Sequence, residues 1–165
     1  MAAEHSFDIV SKINLQELRN AIQQAQKELV NRFDFKGSSA GVTLEEEPLG
    51  LRLTADHDVQ LRSVVDVVQG KLAKRGVSLK SFTWAAMEAI PSGAVKQHAE
   101  GCQGLSSDTA REVVKAIKGL GLKVQPRIEG DTVRVSGKQI DELQAVVQML
   151  TARDFGVPIQ VENYR

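Results

Sequence analysis

The chain has a single cysteine, Cys102, among 165 residues. An intramolecular disulfide is therefore excluded, and so is a zinc cluster built on cysteine. Aromatic residues are scarce: five phenylalanines, one tryptophan and one tyrosine. No apolar run approaches the roughly 20 residues needed to cross a bilayer, so no membrane partner is expected. The start of the chain lacks the charged and then apolar regions of a signal peptide, and a cytoplasmic location is the expectation. Net charge is absent as well, with 21 basic against 21 acidic residues. Residues 1–90 carry 11 basic and 12 acidic side chains, residues 91–165 carry 10 and 9. Dedicated nucleic-acid binders usually show a basic excess, although a local patch can sit inside a neutral total.

Catalytic constellations are missing too. His5, His57 and His98 are scattered, without metal-ligand spacing or a carboxylate framework. There is no P-loop and no Gly-x-Gly-x-x-Gly after a strand. The Lys12-Ile13-Asn14 connection does not resemble the basic phosphate loop of an acylphosphatase. A non-enzymatic protein without a cofactor is the expectation.

What is present is strong periodicity. Phe7, Ile9 and Val10 read as a strand. Asn14 reads as an N-cap with Glu17 three residues on, opening a helix with Leu15, Leu18, Ile22, Ala25 and Leu29 inward. Val42 and Leu44, then Leu49, Leu51 and Leu53, alternate as a hairpin around Glu45 to Pro48. Asp56 or Asp58 is the expected cap of a second helix, with Leu61, Val64, Val65, Val68 and Leu72 inward and Gly76 at its end. Phe82 and Trp84 lie on a fourth strand. The second half repeats the order: a strand near Ala94 to Ala99; a helix capped by Ser106 or Ser107, with Val113, Val114, Ile117 and Leu120 inward; a hairpin turning at Glu129-Gly130-Asp131; a helix striped by Ile140, Leu143, Val147 and Leu150; and a strand with Val157, Ile159 and Val161. Strand, helix, strand, strand, helix, strand, twice over, predicts an α+β protein of two ferredoxin-like sandwiches, each an antiparallel sheet with two helices on one face. The other sheet face is where function is to be sought.

Two groups of residues carry candidate chemistry. Arg32-Phe33-Asp34-Phe35-Lys36-Gly37 concentrates two aromatics and three charges where the first helix ends. If extended, the segment puts Phe33 and Phe35 on one face, as core or domain-interface anchors. Arg32 and Lys36 then flank them as phosphate partners or as solvated ion pairs. Base stacking falls to Phe35 or Tyr164 if either ring is exposed. Downstream, Lys118, Lys123, Arg127, Arg134 and Lys138 form the most credible cationic cluster. Arg127 and Arg134 lie on paired strands joined by a three-residue turn. Alternation with Val133 and Val135 aims Arg134 at the open face, where it could clamp phosphate with Lys138. Lys123, Pro126 and Ile128 leave the faces of the partner strand unassigned.

Four blocks carry a resemblance: Ser6 to Ser11; Glu17 to Ala21; Arg32 to Gly37; and the run from Leu122 to Gln125 through Val133 to Lys138 to Asp141–Gln144. With the ending Pro158 to Arg165, they make the chain similar to the YajQ-like family of bacterial nucleotide-binding proteins. The resemblance spans nearly the whole chain. It implies two ferredoxin-like domains that exchange their first strands: one of residues 14–101, completed by the strand near 94–99, and one of residues 1–13 with 102–165, into which strand 6–12 is swapped. It also implies binding of a nucleotide (GTP, ATP or cyclic di-GMP) or of RNA, and a signalling role for cyclic di-GMP binders. Two positions depart from the family pattern: Cys102 and Ile140 stand where basic residues are usual.

The expected function is thus a non-enzymatic nucleotide-binding protein, with phosphate contacts from Arg134 and Lys138, joined by Arg127, Lys36, Arg32 and Lys123. One rival is an RNA- or tRNA-binding module. It lacks the basic-Gly-aromatic signature of an RRM, since the corresponding strands read Leu49 to Leu53 and Thr132 to Val135. The other rival is an adaptor whose open sheet recruits a transcription factor or another protein.

Overall fold

A computed structural model describes residues 4–165. Along the chain run β1 (His5–Val10), α1 (Leu15–Asn31), β2 (Gly41–Glu46), β3 (Leu49–Ala55), α2 (Asp58–Lys74), β4 (Phe82–Trp84), β5 (Glu88–Ala89) and β6 (Val95–Gly101). There follow α3 (Ser107–Lys118), β7 (Val124–Glu129), β8 (Thr132–Gly137), α4 (Ile140–Ala152) and β9 (Gln160–Glu162). The four helices and two antiparallel sheets form two ferredoxin-like halves.

The chain divides into two compact units. One is Ile13–Cys102; the other joins the N-terminal residues through Lys12 to Gln103–Arg165. In the first, strands run β2-β3-β6-β4, with β5 also pairing β6. In the second they run β7-β8-β1-β9. Each sheet thus takes its inner strand from outside the run of its own helices: β1 precedes α1 but pairs with β8 and β9, while β6 pairs with β3 and β4. The pairing is specified by alternation. On β1, Phe7 and Ile9 are fully buried and register against Val135 and Val133, also fully buried. A one-residue slip of β1 would turn Phe7 and Ile9 to the other face, away from Val135 and Val133.

Helix termini follow local chemistry. Asn14 accepts a hydrogen bond from the Glu17 amide at 3.2 Å, and Ser106 accepts one from the Thr109 amide at 3.2 Å. The cap of α2 differs from the expectation. His57, not Asp56 or Asp58, is the N-cap; its Nδ1 accepts from the Gln60 amide. Asp56 instead accepts the amide and hydroxyl of Ser39. An imidazole nitrogen lacking a proton serves as a cap acceptor as a carboxylate does.

Three further expectations are corrected. Arg32 to Gly37 is not extended: Phe33–Phe35 form a 3₁₀ turn, with Phe35 only 4% exposed and Phe33 90% exposed. The two rings cannot share a face, because successive residues of a 3₁₀ turn are rotated by about 120°. Leu120 and Ile140 leave the core, the first lying past the end of α3 and the second being the first residue of α4. The β7–β8 loop has two residues, since Glu129 pairs with Thr132. Gly130 supplies the positive φ, +62°, that such a loop needs. Among the described residues, no helix is long and apolar enough to cross a membrane.

Candidate functional site

The sheet β7-β8-β1-β9 has one covered face. Phe7, Ile9, Val133 and Val135 pack against Ala110, Val113 and Ile117 of α3 and Leu143, Val146 and Leu150 of α4. Period-two alternation sends the intervening side chains to the other face, and the register sorts them into rows. Arg127, Arg134, Asp8 and Glu162 are successive cross-strand partners; Gln125, Ser136 and Ser6 form the next row. Register also assigns the faces of β7: Val124, Pro126 and Ile128 lie opposite Gly137, Val135 and Val133. Ile128 remains 43% exposed because β7 is an edge strand.

On the open face a depression of about 370 Å³ is lined by Glu4, Ser6, Gln125, Arg127, Arg134 and Ser136. Two guanidinium groups stand directly across from one another, an arrangement that repels unless balanced. Arg127 donates through Nε to Oε1 of Glu129 at 3.1 Å. Arg134 donates through Nε to Oδ1 of Asp8 at 3.0 Å and lies 3.8 Å from Oε2 of Glu129. The other oxygen of Asp8 accepts from Nδ2 of Asn163 at 2.9 Å. Both oxygens of this nearly buried carboxylate are thus engaged. The Arg134 hydrogen bond first, and that of Asn163 second, hold the Asp8 carboxyl below the usual carboxylate range, against the opposing effect of burial. Asp8 thereby fixes the angle of Arg134. Among the described residues, the two terminal guanidinium nitrogens of Arg134 have no hydrogen-bond partner.

The other expected residues divide. Lys123 and Lys138 flank the Val124–Gly137 pair at one end of the same sheet; both are exposed, and neither makes an ion pair among the described residues. Arg32 and Lys36 belong to the other unit and form no part of the depression. Arg32 is tied to Asp34 at 3.1 and 2.8 Å, stands 3.6 Å from Glu28 and lies over the Phe35 ring at 4.8 Å. Lys36 is exposed at the end of the 3₁₀ turn. Of the two candidate stacking rings, Phe35 is buried and Tyr164 is 67% exposed.

Sequence reasoning missed Ser6, Ser136, Gln125 and the Asp8 brace. Ser136 was within reach, since it is two residues from Arg134 and shares its face. Ser6 and Asp8 required the β1–β8 register, which joins residues 126 apart in the chain.

The fold and the site define a class: a tandem ferredoxin-like α+β protein with an arginine-bearing open sheet face. Within that class the family is settled by comparison. The chain matches the sequence profile described as "Nucleotide-binding protein YajQ-like" over residues 5–165, and it belongs to that family. A relative from Carboxydothermus hydrogenoformans is 45% identical over 165 residues, covering the whole of both chains. One from Syntrophotalea carbinolica is 48% identical over 160 residues, covering 97% of this chain and 98% of its own. Both bear the name "Nucleotide-binding protein".

Proposed function

We propose that this protein binds a nucleotide without transforming it, and that the phosphates are held on the open face of β7-β8-β1-β9. The observation that carries this reading is the pair Arg127 and Arg134 in one depression, with Arg134 oriented by Asp8. A planar guanidinium held in position presents paired donors to phosphate oxygens. The hydroxyls of Ser6 and Ser136 and the carboxamide of Gln125 add neutral donors, and Lys123 and Lys138 add charge at the rim. Arg127 is recruitable, because an exposed pair such as Arg127–Glu129 is weak and exchanges readily for a doubly charged phosphate. The names carried by the relatives support the same reading. GTP, ATP and cyclic di-GMP are the ligands to compare. Cyclic di-GMP, with its two phosphodiesters, is the choice that would make the protein a signalling effector.

The test is calorimetric titration of the three nucleotides into the wild type and Arg134→Ala. Affinity is expected to fall by about tenfold or more in the variant, and recovered nucleotide is expected to be intact. Unchanged affinity would remove Arg134 from the site, and product formation would overturn the non-enzymatic reading.

A second reading, single-stranded RNA, is favoured by one observation: Phe33, 90% exposed, three residues from exposed Lys36. It predicts affinity that falls steeply with salt as phosphates are neutralised; a flat salt response excludes it.

A further inference from the structure

The hairpin that carries the two arginines carries a second pair of like charges. Arg127 faces Arg134 in the register, Gln125 faces Ser136, and the ladder closes at Val124 and Gly137. Lys123 and Lys138 are the next residues out on either side, and both are exposed. By the period of two they fall in step with Gln125 and Ser136, as the following row of the open face. Like charges set opposite one another disfavour strand pairing. The arginine row is compensated by Asp8 and Glu129. Across from Lys138 the chain offers Glu4, which precedes His5, the partner of Gly137. One carboxylate offsets one lysine and leaves the other unmatched.

The depression between these rows has a direction. On one side of the arginines stands Glu129, whose carboxylate meets Arg127 and lies 3.8 Å from Arg134. The remaining lining residues, Gln125, Ser136, Ser6 and Glu4, all lie on the lysine side. A ligand anchored at the arginines therefore extends toward Lys123 and Lys138.

Spacing and chemistry constrain that ligand. Four residues separate Arg134 from Lys138, about 13 Å of extended chain. A contiguous diphosphate covers a fraction of that length, and two phosphates set apart on one ligand span it better. The row in between is neutral: the hydroxyls of Ser6 and Ser136 and the carboxamide of Gln125. Each of these groups both donates and accepts hydrogen bonds, which suits the hydroxyl and ring oxygens of a sugar. The described lining residues include no aromatic ring, so recognition here falls on phosphate and sugar.

We infer that Lys123 and Lys138 form a second phosphate subsite, and that the ligand of this face is a nucleotide phosphorylated at two separate positions of its sugar. One phosphate lies on Arg127 and Arg134, the sugar lies over Ser6, Gln125 and Ser136, and the other phosphate lies on the lysines. The inference rests on the phosphate reading above and has its own readout.

ADP and adenosine 3′,5′-bisphosphate contain the same atoms and differ in whether the two phosphates are joined or set apart. In calorimetric titrations of the wild type, the bisphosphate is expected to bind about tenfold more tightly than ADP. The double variant Lys123→Ala, Lys138→Ala should bring the two ligands to equal affinity, with circular dichroism checking that the fold is kept. Arg134→Ala should weaken both. Equal affinities in the wild type, or an advantage that survives loss of the lysines, would overturn the second subsite. The arginine assignment would still stand if Arg134→Ala weakened both ligands. Binding of neither ligand would sink the phosphate reading and the subsite with it. The same phosphate–sugar–phosphate unit recurs along an RNA strand. A tetrauridylate that bound more tightly than the bisphosphate, with the same dependence on the lysines, would support the subsite and overturn the small nucleotide as its occupant.

Discussion

Phe33 and Phe35 are two residues apart, yet one is exposed and the other buried, so truncating each in turn tests how the turn between α1 and β2 is built. Phe35 is 4% exposed and belongs to the core of Leu18, Ile22, Leu29, Val42 and Leu53. A buried aromatic removes about 150–250 Å² from water. At about 25 cal/mol per Å² that is worth about 4–6 kcal/mol, an upper bound because the unfolded chain already buries some of that surface. Phe35→Ala should therefore cost about 3–5 kcal/mol, the usual range for such a truncation. Phe33, at 90% exposure, removes about a tenth of its area from water, so Phe33→Ala should stay within about 0.5 kcal/mol. Trp84, the only tryptophan, packs against the same core as Phe35, and its fluorescence in a urea titration reads the unit directly. For a unit of this size the Phe35→Ala loss corresponds to a melting temperature lowered by on the order of 10–40 °C. Equal losses from the two substitutions would refute the 3₁₀ turn and restore the extended segment with both rings on one face.

Asp8→Asn should weaken nucleotide binding and flatten the acid limb of stability, followed by circular dichroism. The Asp8 carboxyl is held below its ordinary value of 3.8 in the folded protein, so its stabilisation is fully present above that value and is lost as the pH falls through the lower, folded one. An unchanged acid limb would mean that the Arg134 bond is not formed. Gly104 has φ +83°, and an added Cβ would stand 2.8 Å from the Asp131 Cβ. Gly104→Ala should cost about 1–3 kcal/mol, whereas Gly119→Ala, with a free approach and helical φ, should be neutral, both read by circular dichroism in urea because the two glycines lie in the unit without Trp84. Asn14→Ala removes the acceptor of the Glu17 amide and should cost about 1 kcal/mol, measurable as a shift of the Trp84 unfolding midpoint with unchanged slope.

Much of this architecture is legible in the sequence because it rests on repeated apolar spacing. Leu18, Ala21, Ile22, Ala25 and Leu29 are all buried on α1, and Leu61, Val64, Val68 and Leu72 on α2. The failures lie where periodicity is silent: at short-range polar bonds and at helix ends. The alternation Phe33-Asp34-Phe35 has the form of a strand, but Arg32 bonds to Asp34 through two nitrogens, and Ser38 donates its hydroxyl to the Phe35 carbonyl at 2.6 Å. These contacts close the chain into a turn. Ile140 continues the apolar stripe of α4, yet it is the first residue of that helix and faces a groove beside Tyr164. Its spacing was readable; its exposure depended on where the helix begins.

The arginine site was half legible for a related reason. Arg134 follows from alternation along a single strand, and Arg127 from the hairpin that pairs with it. What turns two surface arginines into a site is Asp8, and β1 brings it from the far end of the chain. Because β1 lies between β8 and β9, the same strand supplies core (Phe7 and Ile9), the brace for Arg134, the anchor for Asn163 and one wall of the depression (Ser6). A hairpin of β7 and β8 alone would keep the Arg127–Glu129 pair but leave Arg134 without the Asp8 carboxylate that orients it. The first strand is therefore part of the candidate site as well as of the fold, because its pairing with β8 and β9 is what brings the Asp8 carboxylate to Arg134.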